Sequence, residues 1–243
     1  MLKAKLLFIL FLSLVAGCGS LQERRAFKVK SYVKVYAIVV ATKCEGTTKD
    51  KESVCKDTEF ISAGSGAIVH HEKNKSFILT AGHVCTVELP KAVSKDFDKL
   101  QAKYKIQTSD SKVIDAVVKH VSPEFINGKE LDLCLLQVRK LDLPKLHFSK
   151  EGPKLGERLY TMSSPIGAYN PPAPILFSGH YSGKQGAYHC VITIPAAPGS
   201  SGAPIVNSRG ELVSMIFAVN VRLNHLTLCI NHETLKEFLH ENL

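Results

Sequence analysis

At 243 residues, 45% of them hydrophobic and 22% charged, the chain carries enough apolar material to bury a full core and is not a disordered segment. Its formal charge of +9 admits an anionic partner, but the lysines are spread along the chain without an arginine-rich stripe or interleaved aromatics. That pattern reads as solvated surface and argues against a nucleic-acid binder. No repeat of fixed period and no low-complexity tract interrupts the middle, which excludes solenoids.

The first elements are targeting signals. "MLKAK" carries Lys3 and Lys5, "LLFILFLSLVA" is an apolar run, and Ala16 and Gly17 lead into Cys18, the layout of a secretory signal too short for a comfortable membrane span. "LVAGC" also resembles the lipobox of bacterial lipoproteins, which implies removal of residues 1–17, a lipid on Cys18 and a lipidated tether over 18–30. Gly19 and Ser20 follow Cys18 with no aspartate; under the bacterial sorting rule this implies the outer membrane, facing the periplasm. Removing residues 1–17 takes Lys3 and Lys5, so 31 basic side chains become 29 against 22 acidic and the net charge falls from +9 to +7.

From Ser31 short β-branched segments dominate. "YVKVYAIVVAT", "SGAIVH", "SFILTAG", "KVIDAVVKHV", "LDLCLLQV", "PILFSGHYSG", "YHCVITI", "APIVN", "ELVSMIFAV" and "LTLCIN" are separated by Gly, Pro, Asn or charged turns and predict an all-β barrel or sandwich. Two stretches depart from this. "PKAVSKDFDKLQAKY" has helix-compatible spacing and predicts a helix decorating a loop, and "NHETLKEFLHENL" predicts a C-terminal helix with Leu235, Phe238 and Leu239 on one face. The proline-containing stretch from Leu143 to Ala173 suits a crossing between two lobes.

Six cysteines follow Cys18, and an even number in an exported chain permits disulfides in fifteen pairings. Cys44 and Cys55 flank the polar segment "EGTTKDKESV" and suit a bridged hairpin, whereas Cys85 and Cys134 lie in apolar surroundings that also suit buried free thiols. No Cys-x-x-Cys pair points to a metal.

Three places carry candidate chemistry. His83 in "FILTAGHVC" follows an apolar strand and a small-residue turn, so its imidazole projects from a strand end. Asp132 in "ELDLCLLQV" interrupts a leucine-rich strand, where an ionised carboxylate needs a partner, although an edge aspartate facing water beside Glu130 is the plainer alternative. Ser201 in "AAPGSSGAPIVN" stands between Gly199 and Gly202, either as ordinary turn chemistry or as a nucleophile loop whose backbone N–H groups face a developing oxyanion.

The order His83, Asp132, Ser201 is that of chymotrypsin. "TAGHVC" resembles the Thr-Ala-Ala-His-Cys segment of trypsin-like serine peptidases, "LDLCLLQV" their Asp-Ile-Ala-Leu-Leu strand, and "GSSGAP" their Gly-Asp-Ser-Gly-Gly-Pro loop. "SSPIGAYN" and "VITIPAAPGSSGAPIVNSRGELVSM" are similar to segments of bacterial HtrA-type enzymes. The resemblance spans roughly residues 60–243, with 31–59 as a first strand and hairpin. It implies two six-stranded antiparallel β-barrels, an N-lobe over about 31–145 and a C-lobe over about 155–243, with the site between them and a short C-terminal helix.

It further implies a serine endopeptidase that acts on protein or peptide substrates through an acyl-enzyme on Ser201, with His83 as base, Asp132 as its partner and the N–H groups of Gly199 and Ser201 as oxyanion hole, without metal or organic cofactor. Pro195 takes the base of the pocket for the side chain before the cut, with Ile216, Phe217 and Ala218 on a neighbouring wall, implying a preference for small or medium apolar side chains. Ser200 stands where trypsin has the aspartate that grips a newly cut N-terminus, so the site is expected to be preformed; Ala203 replaces the second glycine after the serine, a small change expected to leave activity in place. No PDZ domain is expected after the helix. The alternatives are an inactive peptide-binding relative of the same fold and an envelope lipoprotein in which the three residues coincide by accident.

Overall fold

The computed structural model describes residues 27–46, 53–122, 131–165, 174–219 and 226–243. The signal segment, Cys18 and the tether as far as residue 26 lie outside the described residues.

Among the described residues, twelve strands form two closed barrels. The N-lobe contains β1 (Tyr32–Gly46), β2 (Ser53–His71), β3 (Lys75–Thr80), β4 (Lys99–Thr108), β5 (Val113–Val121) and β6 (Cys134–Arg139) in the order β1-β2-β3-β6-β5-β4. The C-lobe contains β7 (Arg158–Ser163), β8 (Ile175–Gln185), β9 (His189–Ile192), β10 (Pro204–Val206), β11 (Leu212–Val219) and β12 (Thr227–Ile230) in the order β10-β11-β12-β9-β8-β7. The strand pairs are antiparallel, and closure removes most of the exposed sheet edge.

Alternation decides the facing of the strands. In β5, Ile114 and Ala116 are buried while Val113, Asp115 and Val117 are exposed, whereas β3 is buried over Ser76–Thr80 because both its faces are covered. Val35, Ala67, Ile78, Leu79, Ile106 and Leu135 fill the N-lobe, and Leu159, Ile192, Ile194, Ile205 and Val213 the C-lobe. The N-lobe core continues across the lobe boundary through Met162, Met215 and Ile230 to the C-terminal helix, α3 (His232–Asn242). That helix buries Leu235, Phe238 and Leu239 as predicted, and Phe238 reaches His120 on β5, so the tail of the chain clasps the first barrel.

Three expectations need correction. Only Lys91–Ser94 (α2, after the one-turn α1 at Gly82–Cys85) is helical within residues 90–104; Lys99 onward is β4, paired with β1 from Thr42↔Lys99 to Val33↔Thr108. Barrel closure outweighs the helix-compatible composition here, since β1 has no other neighbour on that side. The crossing from residue 143 contains β7, whose polar Thr161 is tolerated in the core because its hydroxyl donates to Pro204 O at 2.7 Å. Cys85 and Cys134 are not free thiols: they are joined, as are Cys44 with Cys55 and Cys190 with Cys229.

The Cys85–Cys134 bridge closes a separation of 49 residues, for which loop-closure entropy gives about 4 kcal/mol. Replacing both cysteines with alanine is expected to lower stability by roughly 2–5 kcal/mol, read as a fall in the urea midpoint.

Candidate active site

His83 is the second residue of α1, the single helical turn that follows β3. Ala81 keeps an extended backbone and its carbonyl accepts from Val84 N at 3.1 Å, so the chain turns at once after the strand and aims the imidazole outward. Two further ties hold this turn. Cys85 is bridged to Cys134 at the start of β6, and the Tyr104 hydroxyl donates to Cys85 O. Burial pushes the Tyr104 phenol above its ordinary pKa, keeping it a donor.

Asp132 lies two residues before β6 and is only 6% exposed. Both its oxygens face the histidine: Oδ1 accepts from His83 N at 2.8 Å, and Oδ2 lies 2.6 Å from His83 Nδ1. A carboxylate oxygen only accepts, so Nδ1 carries a proton and, in the neutral imidazole, Nε2 is left with the lone pair. The His83 side chain is 44% exposed, against 9% for that of Asp132. This satisfies the buried carboxylate and excludes the water-facing edge aspartate.

Ser201 comes from the other barrel, on the turn between β9 and β10. Ser200 N donates to Ala197 O and Ala203 N to Ser200 O, each at 2.9 Å. Ser200 is buried, with its hydroxyl 3.2 Å from Ala197 N and 3.3 Å from Ser163 Oγ. Gly199 and Gly202 have φ of 96° and 85°, a region that disfavours a Cβ. Within the described residues, neither Gly199 N nor Ser201 N donates a hydrogen bond to the protein. The Ser201 hydroxyl is turned toward Phe217 O at 3.5 Å.

Ser65 on β2 brings the two barrels together. Its N–H donates to Ser201 O at 2.7 Å, its hydroxyl donates to Gly199 O at 2.7 Å and accepts from Ser164 N at 3.1 Å, and its carbonyl accepts from Thr80 Oγ1 at 2.8 Å. The approach is so close that a Cβ on Gly202 would lie 2.1 Å from Ser65 O, and one on Gly64 would lie 2.8 Å from a Val84 methyl and 3.1 Å from Ser201 O. Gly64 thus touches both the residue after His83 and the backbone of Ser201.

The expected pocket residues separate. Ile216 is 1% exposed and belongs to the C-lobe core. Phe217 and Ala218 are half-buried on the end of β11, beyond the Pro204↔Met215 rung where its pairing with β10 ends. Phe217 stacks on His189 with ring centroids 4.5 Å apart. Pro195 is exposed.

Sequence reasoning passed over Gly64, Ser65, Thr80 and Tyr104. The available signal was the Gly-Ser-Gly run inside the second strand, since glycine within a strand marks a close backbone approach. Replacing Ser65 with alanine leaves Gly199 O and Ser164 N without their buried partner, at about 1–3 kcal/mol. The expected result is faster amide hydrogen exchange over residues 199–203, with exchange in the barrel strands unchanged.

A sequence profile of the trypsin-like peptidase domain matches residues 64–215, which includes all three residues. The fold is shared with solved structures at low identity. The serine endoprotease from Yersinia pestis superposes with a TM-score of 0.62 at 16% identity, over 90% of this chain and 65% of its own length. The Rv3671c protease of M. tuberculosis in its active form gives 0.61 at 15%, over 88% of this chain and 82% of that one, and an inactive serine-to-alanine form gives 0.59 at 14%, over 88% and 87%. The chain therefore spans about two thirds of the Yersinia protein. With the profile match covering more than half of its residues, the chain belongs to the trypsin-like peptidase family.

Proposed function

We propose that this chain is an exported serine endopeptidase in which Ser201 is the nucleophile, His83 the general base and Asp132 the group that orients and stabilises the imidazole. The observation that carries this reading is the pair of hydrogen bonds from His83 N and Nδ1 to Asp132, which leaves Nε2 as an acceptor. The two uncommitted N–H groups at Gly199 and Ser201 support it.

In this reading the Ser201 side chain turns from Phe217 O toward His83 Nε2 when substrate binds, a rotamer change of the kind that takes picoseconds to nanoseconds for an accessible side chain. The hydroxyl proton then passes to Nε2 as Oγ attacks the peptide carbonyl, because an unassisted serine is too weak a nucleophile near neutral pH. The carbonyl oxygen takes up negative charge and is received by Gly199 N and Ser201 N, with each such donor worth about 2.7–4 kcal/mol in related sites. His83 returns the proton to the leaving amine, and water releases the acyl group by the same steps.

Ser200 lies where relatives cut to become active place an aspartate, and its hydroxyl already braces the turn through Ala197 and Ser163. This supports a site that is ready without such a cut. The end of β11 beyond Ile216 offers Phe217 and Ala218 to the substrate segment before the cut, and Pro195 shapes the pocket beside them; Ile216 takes no direct part, its side chain being in the core and its N–H and carbonyl bonded to Ala203 O and Gly202 N. The preference that follows is for a small or medium apolar side chain.

Export is supported by the three disulfides, which form in oxidising compartments. No helix among the described residues is long and apolar enough to cross a membrane. The lipobox-like Cys18 supplies the membrane attachment, with the folded unit in the cell envelope on the periplasmic face.

Casein hydrolysis by the wild type is expected to disappear in Ser201→Ala, and Asp132→Asn is expected to lower kcat by roughly 10⁴-fold through the wrong histidine tautomer. No cleavage and no fluorophosphonate labelling by a well-folded wild type would instead assign the cleft to peptide binding. Labelled palmitate is expected on the wild type and not on Cys18→Ser.

A further inference from the structure

The lysines that are scattered in sequence are gathered by the fold. On the antiparallel pair β3–β6, Lys75 lies directly opposite Arg139, an arrangement of like charges that destabilises a sheet. The next residue, Lys140, donates from its backbone to Asn74 O and from Nζ to Glu72 O, both at 3.0 Å. Further along the interlobe connection, Lys145 presents its carbonyl to Lys28 Nζ at 3.2 Å.

Two histidines report the field of these groups. His71, held between Ser76 Oγ and Leu143 O, is kept below its ordinary pKa first by burial, with the Leu143 hydrogen bond opposing, and then by Lys140, Lys145 and His70. His147 is lowered first by Lys28, then by burial and Lys145, with Glu211 opposing. Within the described residues none of Lys28, Lys75, Arg139, Lys140 and Lys145 joins an ion pair. Glu72 and Asp142 are the exposed carboxylates alongside them, and Glu211 is already engaged by Arg209 and Asn207.

This face is also where the chain enters the folded unit. Phe27 seats on Tyr160 with ring centroids 4.9 Å apart, and Ser31 Oγ donates to Pro144 O at 2.7 Å. Only residues 19–26 separate Phe27 from Cys18, a stretch that reaches at most about 30 Å when fully extended. A lipid on Cys18 therefore keeps this face near the bilayer, and the tether adds Arg24 and Arg25 against Glu23.

We propose that the face formed by Lys28, Lys75, Arg139, Lys140 and Lys145 docks on the anionic phospholipid headgroups of a bilayer. The lipid sets the distance of the folded unit from the membrane and the basic face sets its orientation. An anionic surface relieves the opposition of Lys75 and Arg139, neither of which joins an ion pair within the described residues. The inference rests on the export reading and is independent of the chemistry at Ser201, since none of the five cations belongs to the site.

Residues 27–243 hold both barrels and all three disulfides, so the chain begun at residue 18 with Cys18→Ser keeps the folded unit and carries no lipid. It is expected to sediment with phosphatidylcholine vesicles containing phosphatidylglycerol, not with pure phosphatidylcholine, and to be released at 1 M salt, where the screening length is about 3 Å. With each basic residue near such a surface worth about fivefold in partitioning, the combination Arg139→Glu, Lys140→Glu and Lys145→Glu is expected to weaken binding at least about 100-fold. The same charge change on exposed lysines elsewhere, Lys56→Glu, Lys103→Glu and Lys119→Glu, is expected to weaken it far less. Matched urea midpoints show that both variants fold. Equal losses in the two variants, equal binding to uncharged vesicles, or binding of duplex DNA without binding to vesicles overturns the docking face. Casein cleavage in the same samples keeps the two readings separate, because a chain that cleaves without binding vesicles removes only the docking face, and one that binds without cleaving removes only the peptidase.

Discussion

Ser65 joins the two halves of the site, which come from different barrels. Its N–H, carbonyl and hydroxyl hold Ser201, Thr80, Gly199 and Ser164 within 3.1 Å. A single small residue can do this only if the backbones nearly touch, and Gly64 and Gly202 provide the space: a methyl group at Gly202 would overlap Ser65 O. The position of Ser201 relative to the first barrel is thus set by backbone contacts, which do not change rotamer.

The same contact shapes the proposed oxyanion site. With Gly199 O drawn onto the Ser65 hydroxyl, and φ of Gly199 at 96°, the N–H groups of Gly199 and Ser201 have no partner among the described residues. Gly199 and Ser201 are half-buried, so their free N–H groups face solvent, and a turn that spends few of its own hydrogen bonds keeps one shape only when its surroundings hold it. Here Ser65, Ser163 and Ala197 do so from three directions. The turn keeps two donors open at the expense of its own hydrogen bonding, which is the arrangement expected where charge must be received.

The sequence made some of this legible and not the rest, for physical reasons. Ten of the strands announced themselves by β-branched runs. β4 did not, because "KLQAKYKIQT" places its buried residues, Ile106 and Thr108, only at its far end while the remainder faces solvent or is half-buried. β7 did not, because its buried hydroxyls resemble those of a loop. His83, Asp132 and Ser201 stood out as polar residues in apolar or glycine-rich surroundings, and their order together with the segments around them carried the family resemblance. Ser65 was hidden because its role arises from backbone approach between segments far apart in the chain, and a serine between glycines in a strand names no partner. Ile216 illustrates the opposite case: the family resemblance implied a pocket wall, but strand alternation turns its side chain into the core.

The disulfide between Cys85 and Cys134 acts on the other half of the site. Each cysteine lies two residues beyond a member of the hydrogen-bonded pair, Cys85 after His83 and Cys134 after Asp132. The pairing of β3 with β6 ends at Thr80↔Cys134, so beyond that rung the sheet no longer aligns the segments carrying His83 and Asp132. Two hydrogen bonds to a carboxylate contribute about 1.5–3 kcal/mol each, comparable with the cost of ordering the few residues of a free strand end and turn at about 1–2 kcal/mol apiece. The bridge removes much of that freedom in advance, holding α1 and the start of β6 together where the ladder stops. An oxidising environment therefore stabilises the fold at the point where the imidazole must keep its orientation.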